Sequence, residues 1–357
     1  MRLPNEGTMQ SVLVEAFGGS ETLTVQEQER PEPGPEQVRV EVEAAGINFA
    51  DIMQRRGKYL GGPEPPYVPG MEAAGRIDAT GDRVNLDEGD RVVATLPGGG
   101  YAEYALADPQ ALFPIPEGMS FDEAAGFPVQ FLTAHGCLFG WGDLEEGERV
   151  LIQAAAGGVG TAAVQLASQA GAEVFGTAST AEKLDLASDL GCDHPINYTE
   201  TDFVEEVDEI TDGEGVDLVL DGVGGDVFHE SLDALTPFGR IVTYGAASGD
   251  TASVDTGRLL FENKSVILSP GPRTDRGSRS CPRSRPGTNR QSDRRRYGSR
   301  RRRVVPPRRR RGSARLHRGP TVLRQSRTPP ELDRQHRRID FVPPTIENLE
   351  LVASPTL

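Results

Sequence analysis

Residues 149–171 read RVLIQAAAGGVGTAAVQLASQAG. The opening RVLIQA is a continuous apolar run, the pattern of a strand covered on both faces. Glycines 157, 158 and 160 then punctuate the chain, and 157–171 carries the small and apolar residues of a packed helix. In the GxGxxG frame the turn reads Ala155-x-Gly157-x-x-Gly160. Gly157 lets a backbone approach a pyrophosphate, and Gly160 lets helix and strand pack closely. Ala156, Gly157, Gly158 and Val159 lead into a helix start whose free N–H groups and positive dipole end attract phosphate. Alanine in the first position weakens the pattern taken alone. Its place between a buried strand and a helix makes it a dinucleotide site.

The same alternation continues outward. AEVFGTA (172–178) is a second strand, and TAEKLDLASDLG (180–191) is a helix with a Thr cap and a Gly stop. DFVEEVDEIT (202–211) is an amphipathic helix and VDLVLDGVGG (216–225) a buried strand. DVFHESLDALTPFG (226–239) and RIVTYGAASG (240–249) add one more helix–strand pair. Strands alternating with helices predict a parallel, doubly wound α/β sheet, which we assign to 129–269. Upstream, QVRVEVE (37–43), GDRVVAT (89–95) and YAEYALA (101–107) alternate with period two between Gly and Pro punctuation. They predict a small antiparallel barrel-like domain over 9–128.

Charge divides the chain a second way. Residues 1–270 hold 47 Asp/Glu against 14 Lys/Arg, a balance of −33, whereas 271–357 hold 7 against 24, a balance of +17. Only three lysines occur, Lys58, Lys183 and Lys264. An acid-rich, lysine-poor surface suits a salt-adapted cytoplasmic protein, because salt screens its self-repulsion; an ordinary acidic enzyme is the other reading. Cys137, Cys192 and Cys281 form no CxxC pair, which excludes a disulfide framework or a cysteine-rich zinc site. MRLPNEGTMQ lacks an apolar signal core, Met9 is a candidate start, and no run of about 18 apolar residues suggests a membrane span.

The arginine runs at 294–296, 300–303 and 308–311 break every pattern before them. One reading is a disordered basic tail that binds nucleic acid. The other, which the composition favours, is a shifted reading frame: GC-rich Asp and Glu codons read out of frame yield Arg, Pro, Ser and Gly. Residues 339–357 again resemble ordinary sequence.

Cofactor choice is written at the end of the second strand of the α/β unit. An acid there would hold the ribose hydroxyl of NAD; small polar and basic groups suit the 2′-phosphate of NADP. The chain has Gly176, Thr177, Ala178 and Ser179, then Lys183 in the next helix. This predicts NADPH. Gly222, Gly245 and Ala246 follow later strands at their carboxyl ends, where ligands collect in such sheets.

Taken in order, GINFADIMQRRGKY (46–59), PGMEAAG (69–75), GDRVV (89–93), AAAGGVGTAAVQLA (154–167), INY (196–198) and RIVTYGAASG (240–249) resemble the medium-chain dehydrogenase/reductase superfamily. They resemble its zinc-free quinone oxidoreductase branch, zeta-crystallin-like and vesicle amine transport protein-like, from about Val12 to about Val266. The resemblance implies a GroES-like β domain beside a Rossmann domain. It places Asn48 beside the nicotinamide ribose and Tyr59 in the substrate cleft, either as a donor or as a packed aromatic. It gives Asp51 the task of anchoring its loop, Thr133 a nicotinamide and phosphate contact, and Tyr198 an adenosine-phosphate contact. It implies a homodimer where the usual C-terminal part is intact.

The chain departs from the zinc-dependent alcohol dehydrogenases at Asn48, where they carry a Cys ligand, and at Met71, where they carry the His of a GHE motif. No metal is expected, and alcohol oxidation is disfavoured. A nicotinamide can still pass hydride to a ready electrophile. The reading is a zinc-independent, NADPH-dependent quinone reductase, with an alkenal or enone reductase as the alternative; an inactive product of a shifted frame is the third. His135, His194 and His229 are read as isolated surface or loop histidines with no triad or ligand set.

Overall fold

The computed structural model describes residues 7–269 and the strand Val322–Arg324. The N-terminal part is antiparallel throughout. β1 (Thr8–Val14) pairs with β2 (Leu23–Glu29). A larger sheet holds β3 (Val38–Gly46), β4 (Glu72–Thr80), β5 (Arg91–Thr95), β6 (Tyr104–Ala107) and β7 (Leu112–Pro114), with β3 paired to both β4 and β6. The helix α1 (Phe49–Arg55) follows β3, and α2 (Phe121–Ala125) packs against β3 and β4.

Val38, Val40 and Val42 enter the core as their spacing predicts. The other face of β3 is not simply solvated: Arg39 is also buried. Its guanidinium bonds the Asp78 carboxylate at 2.6 Å, Glu32 at 3.0 Å and the Pro31 carbonyl at 3.0 Å. Asp78 comes from the neighbouring β4, and Pro31 and Glu32 from the segment between β2 and β3.

The second part is a parallel sheet ordered β10-β9-β8-β11-β12-β13. Its strands are β8 (Arg149–Ile152), β9 (Glu173–Ala178), β10 (His194–Asn197), β11 (Val216–Asp221), β12 (Leu235–Thr243) and β13 (Ser265–Leu268). The intervening helices are α4 (Gly158–Gln169), α5 (Ala181–Leu190), α6 (Phe203–Thr211), α7 (Gly225–Asp233) and α8 (Thr256–Glu262). Before them, α3 (Pro128–His135) continues into a π-helical turn at Gly136–Trp141 and packs on α4. Val150, Leu151, Ile152, Leu218, Val219 and Leu220 are fully buried, as expected of central strands covered on both faces. The strand order reverses between β8 and β11, so their carboxyl ends open a crevice at the switch point.

The helix expected over 226–239 stops at Asp233, and the residues after it enter β12. Pro237 has no N–H to continue a helix. The β11–β12 register shifts between Val216 and Leu218, and Phe238 takes φ +69°. The predicted strand 240–249 ends at Thr243; Tyr244–Gly249 instead turns back, with Ala247 N–H donating to Gly222 O.

The expectation of a basic segment without regular structure falls almost wholly outside the described residues, as do Cys281 and 339–357. Val322–Arg324 forms β14, an edge strand paired antiparallel with Ala44–Gly46 of β3. Val322 and Leu323 belong to a short apolar island, TVL at 321–323, between the charged runs.

Candidate active site

The glycine turn after β8 is built from backbone upward. Ala154, not Ala155, takes the left-handed conformation, at φ +53°. Its strain is held by two bonds to Thr177: Ala154 N–H donates to the hydroxyl at 3.2 Å, and Ala155 N–H donates to the carbonyl at 2.9 Å. A Cβ on Gly160 would meet the Ala154 carbonyl at 2.2 Å, so only glycine lets α4 lie this close to the turn. A Cβ on Gly158 would meet the Gln130 side chain at 2.8 Å. A Cβ on Gly157 would meet only Ala154 O, at 3.2 Å. No side chain caps α4 at Gly157, leaving its first N–H groups for a ligand.

The end of β9 separates two roles. Gly176 is buried, and a Cβ there would press on Ala155 Cβ and Cys192 Sγ, each at 2.8 Å. Thr177 is also buried, its hydroxyl donating to Gln153 Oε1 at 2.6 Å while Gln153 Nε2 reaches Ser231 Oγ at 3.0 Å. These two residues support the turn from beneath. Ser179 and Lys183 lie further out, with Lys183 Nζ 3.3 Å from Ser179 Oγ. Tyr198 is half-buried just past β10, its N–H donating to Ala178 O.

At the end of β11, Asp221 Oδ1 accepts the Val223 and Gly224 N–H groups, and Oδ2 accepts the Thr243 hydroxyl. Burial raises its pKa against those bonds. A Cβ on Gly222 would run into the Tyr244 ring at 2.7 Å. Gly245 and Ala246 follow in the exposed to half-buried loop beyond β12.

The other wall comes from the β domain. Asn48, at the start of α1, is buried; its Nδ2 donates to Glu72 Oε1 at 2.9 Å. Asp51 Oδ2 accepts both the Asn48 N–H at 2.9 Å and the Tyr101 hydroxyl at 2.8 Å, which is the loop-anchoring geometry. Burial pushes the Asp51 carboxyl up to about 6 and the Glu72 carboxyl up to about 7. Tyr59 is 39% exposed in the loop after α1. A Cβ on Gly249 would lie 3.9 Å from Lys58 Nζ, so this loop faces the loop after β12 across the crevice. Thr133 is half-buried on α3, where its hydroxyl donates to Val129 O at 2.6 Å and keeps only acceptor capacity for a ligand.

Glu72 and Gln130 are the site residues that sequence reasoning passed over. Glu72 sat unremarked within PGMEAAG; the signal was an acid inside an apolar strand, which survives burial only with partners. Gln130 gave no signal before α3 was placed against α4. One histidine also gains a partner: His194 Nε2 lies 3.0 Å from Glu173 Oε1 on the sheet edge.

These residues fit a dinucleotide: a bare helix start, a glycine surface beside it, and a Ser–Lys pair at the end of β9. They do not fit zinc. The half-buried Met71 carries a thioether 3.9 Å from Gln54 Nε2, and Asn48 spends its amide on Glu72. Zinc takes thiolate, imidazole or carboxylate. Among the described residues no cluster of three or more His, Cys, Asp or Glu could hold a metal ion.

An antiparallel β domain joined to a doubly wound nucleotide-binding domain, with the crevice between them, defines a two-domain dehydrogenase or reductase. Residues 34–117 match the alcohol dehydrogenase GroES-like domain, and residues 158–279 match the family described as zinc-binding dehydrogenase. The synaptic vesicle membrane protein VAT-1 homolog of Danio rerio is 40% identical over 252 residues, 69% of this chain and 52% of that protein. The Escherichia coli quinone oxidoreductase complexed with NADPH superposes with a TM-score of 0.68 at 34% identity, covering 73% of this chain and 80% of that one. CurK enoyl reductase gives 0.67 at 35% identity, with 73% and 80% covered. The chain therefore belongs to the medium-chain dehydrogenase/reductase superfamily, in its zinc-free quinone oxidoreductase branch. It spans about half the length of curated relatives such as the VAT-1 homologs. Among the described residues no helix is long and apolar enough to cross a membrane.

Proposed function

We propose that this chain is a zinc-independent, NADPH-dependent reductase that delivers hydride to a quinone. One observation carries the reading: α4 starts without a side-chain cap behind a tight glycine turn, while the positions of zinc ligands in alcohol dehydrogenases hold Asn48 and Met71. When bound, a reduced nicotinamide supplies the hydride. The N–H groups at the start of α4 would hold the pyrophosphate, and Ser179 with Lys183 would receive the 2′-phosphate. Tyr198 would contact the adenosine phosphate, and Gly222, Gly245, Ala246 and Thr133 would contact the cofactor toward its nicotinamide end. Asn48, held by Glu72, would orient the nicotinamide ribose.

A quinone accepts hydride without a metal because the incoming charge delocalises onto a carbonyl oxygen. That oxygen needs a nearby donor and a crevice shielded from water. Tyr59 is the donor within the loop that faces the crevice. We assign the protein to the cytoplasm and to small-molecule substrates, with homodimer formation where the usual C-terminal part is intact.

The second reading is an NADPH-dependent alkenal or enone reductase, favoured by the likeness to an enoyl reductase. Paired kcat/KM values for 1,4-benzoquinone and a 2-alkenal, each with NADPH and with NADH, test both. A larger value for benzoquinone with NADPH supports the proposal. A larger value for the alkenal replaces it with the second reading, and equal use of NADH removes the NADPH assignment.

A further inference from the structure

Glu72 is fully buried, with 0% of its surface exposed, and neither carboxylate oxygen is idle. Oε1 accepts Asn48 Nδ2 at 2.9 Å, and Oε2 accepts the Val129 N–H at 2.8 Å. These partners belong to different halves of the crevice. Asn48 opens α1 of the β domain. Val129 is the second residue of α3, whose own N-cap, Phe127, has no side chain able to cap. Glu72 therefore supplies from β4 the anionic cap that α3 lacks. The same helix carries Gln130, which touches Gly158 of the glycine turn, and Thr133.

We infer that Glu72 is a positioning residue: one buried carboxylate orients the Asn48 amide and, through the first turn of α3, sets the Rossmann wall of the crevice against the β-domain wall. The inference rests on the proposed NADPH-dependent reductase reading.

Polarity enforces the orientation. An ionised carboxylate only accepts hydrogen bonds, so Asn48 must present its amino group to Glu72 and its carbonyl oxygen elsewhere. Space enforces the position: a Cβ on Gly46 would lie 2.3 Å from Glu72 Oε1 and 2.4 Å from the Ala125 carbonyl, so β3 and α2 close over the carboxylate. The titratable groups that face it are the Asp51 carboxyl on α1, which raises its pKa, and the Tyr101 hydroxyl, whose own pKa Glu72 raises. Gly46, Ala125 and Val129 present backbone only. Burial lifts the Glu72 carboxyl to about 7, so its charge is poised near neutrality.

The pyrophosphate and 2′-phosphate of the cofactor would be held elsewhere, by α4 and by Ser179 with Lys183. A Glu72 defect should thus appear in turnover more than in affinity. The test is a double-mutant cycle in the full chain with wild type, Glu72→Gln, Asn48→Ala and the double variant. It reads NADPH Kd by fluorescence titration, kcat and KM for 1,4-benzoquinone, and the pH dependence of kcat. Glu72→Gln keeps the shape but turns an N–H toward one of two donors. Glu72→Asp keeps the charge but shortens the reach, and it decides the matter if the first variant does not fold.

We expect kcat to fall about 10- to 100-fold with Kd and KM within about threefold. The double variant should lose less than the two single losses combined, because the Asn48 bond is shared while the Val129 bond is lost only with Glu72. The wild-type rise of kcat through pH of about 7 should vanish in Glu72→Gln. Wild-type kcat in both Glu72 variants, or losses that simply add in the cycle, overturn the inference. The function itself is judged on the wild type alone: no NADPH binding there overturns both readings, whereas intact wild-type turnover with unaffected variants overturns only the positioning role.

Discussion

Lys183 Nζ lies 3.3 Å from Ser179 Oγ, so the junction of β9 and α5 joins a cation to a hydroxyl. Thr180 between them caps α5, its hydroxyl accepting the Lys183 N–H at 3.4 Å. The cap places the first turn of the helix, and with it the lysine, beside the strand end. Lys183→Ala should weaken NADPH binding about tenfold and leave NADH binding unchanged. Because the pair is exposed, the loss should shrink at high salt. Titrations of both cofactors at two salt concentrations check this; an unchanged NADPH Kd would sink it.

The two outer glycines of the turn should respond differently to alanine. A Cβ at position 160 meets the backbone carbonyl of Ala154 at 2.2 Å, so α4 must move away from β8. Gly160→Ala should cost about 2 kcal/mol or more and abolish cofactor binding. At Gly157 the only contact is 3.2 Å, so Gly157→Ala should fold normally and lose affinity alone. Urea unfolding beside NADPH titration separates the two outcomes.

Buried carboxyls give stability a definite pH slope. Folding raises Asp51 to about 6 and Glu72 to about 7, so the folded chain binds more protons than the unfolded one in that range. Their contribution is fully present below the unfolded values near 4 and is lost as pH rises through the folded values. For Glu72 the change amounts to about 3 kcal/mol across the window. Stability measured from pH 4.5 to 7.5 in wild type and Glu72→Gln should show the downward step in wild type and a smaller one in the variant. Parallel curves would contradict the burial effect.

Salt should stabilise the acidic part. With 47 acidic against 14 basic residues in 1–270, screening relieves more repulsion than attraction. The melting temperature should climb with potassium chloride toward molar concentrations. A flat or falling curve would return the protein to the class of ordinary acidic enzymes.

Much of the architecture was legible because it is local. The apolar run of β8, the glycine turn and the Thr180 cap each lie within a few residues, and the structure places them where the pattern does. Gly191 ends α5 in the left-handed conformation, at φ +112°, as a glycine stop should. Thr177 and Gly176 were read as cofactor contacts from their position alone, and only packing shows that the Thr177 hydroxyl is spent on Gln153 and that Gly176 lies against Ala155 and Cys192. The helix expected over 226–239 ended at Asp233, because β12 claimed Leu235 onward through a shifted register that no local period reveals.

By itself the sequence determined two domains of different class, a dinucleotide turn, the Ser179 and Lys183 pair at the strand end, and side chains unsuited to zinc at Asn48 and Met71. The first three follow from periodicity or residue type, the last from the resemblance to the zinc-dependent alcohol dehydrogenases. Tertiary structure alone decided that Glu72 holds Asn48, 24 residues away, and Val129, 57 residues away, with one carboxylate. It likewise decided that Gln130 lies against Gly158 and that Arg39 is buried among Glu32, Asp78 and Tyr104. A buried charge or amide is tolerable only beside its partners, and those partners meet only when separate strands and helices have packed.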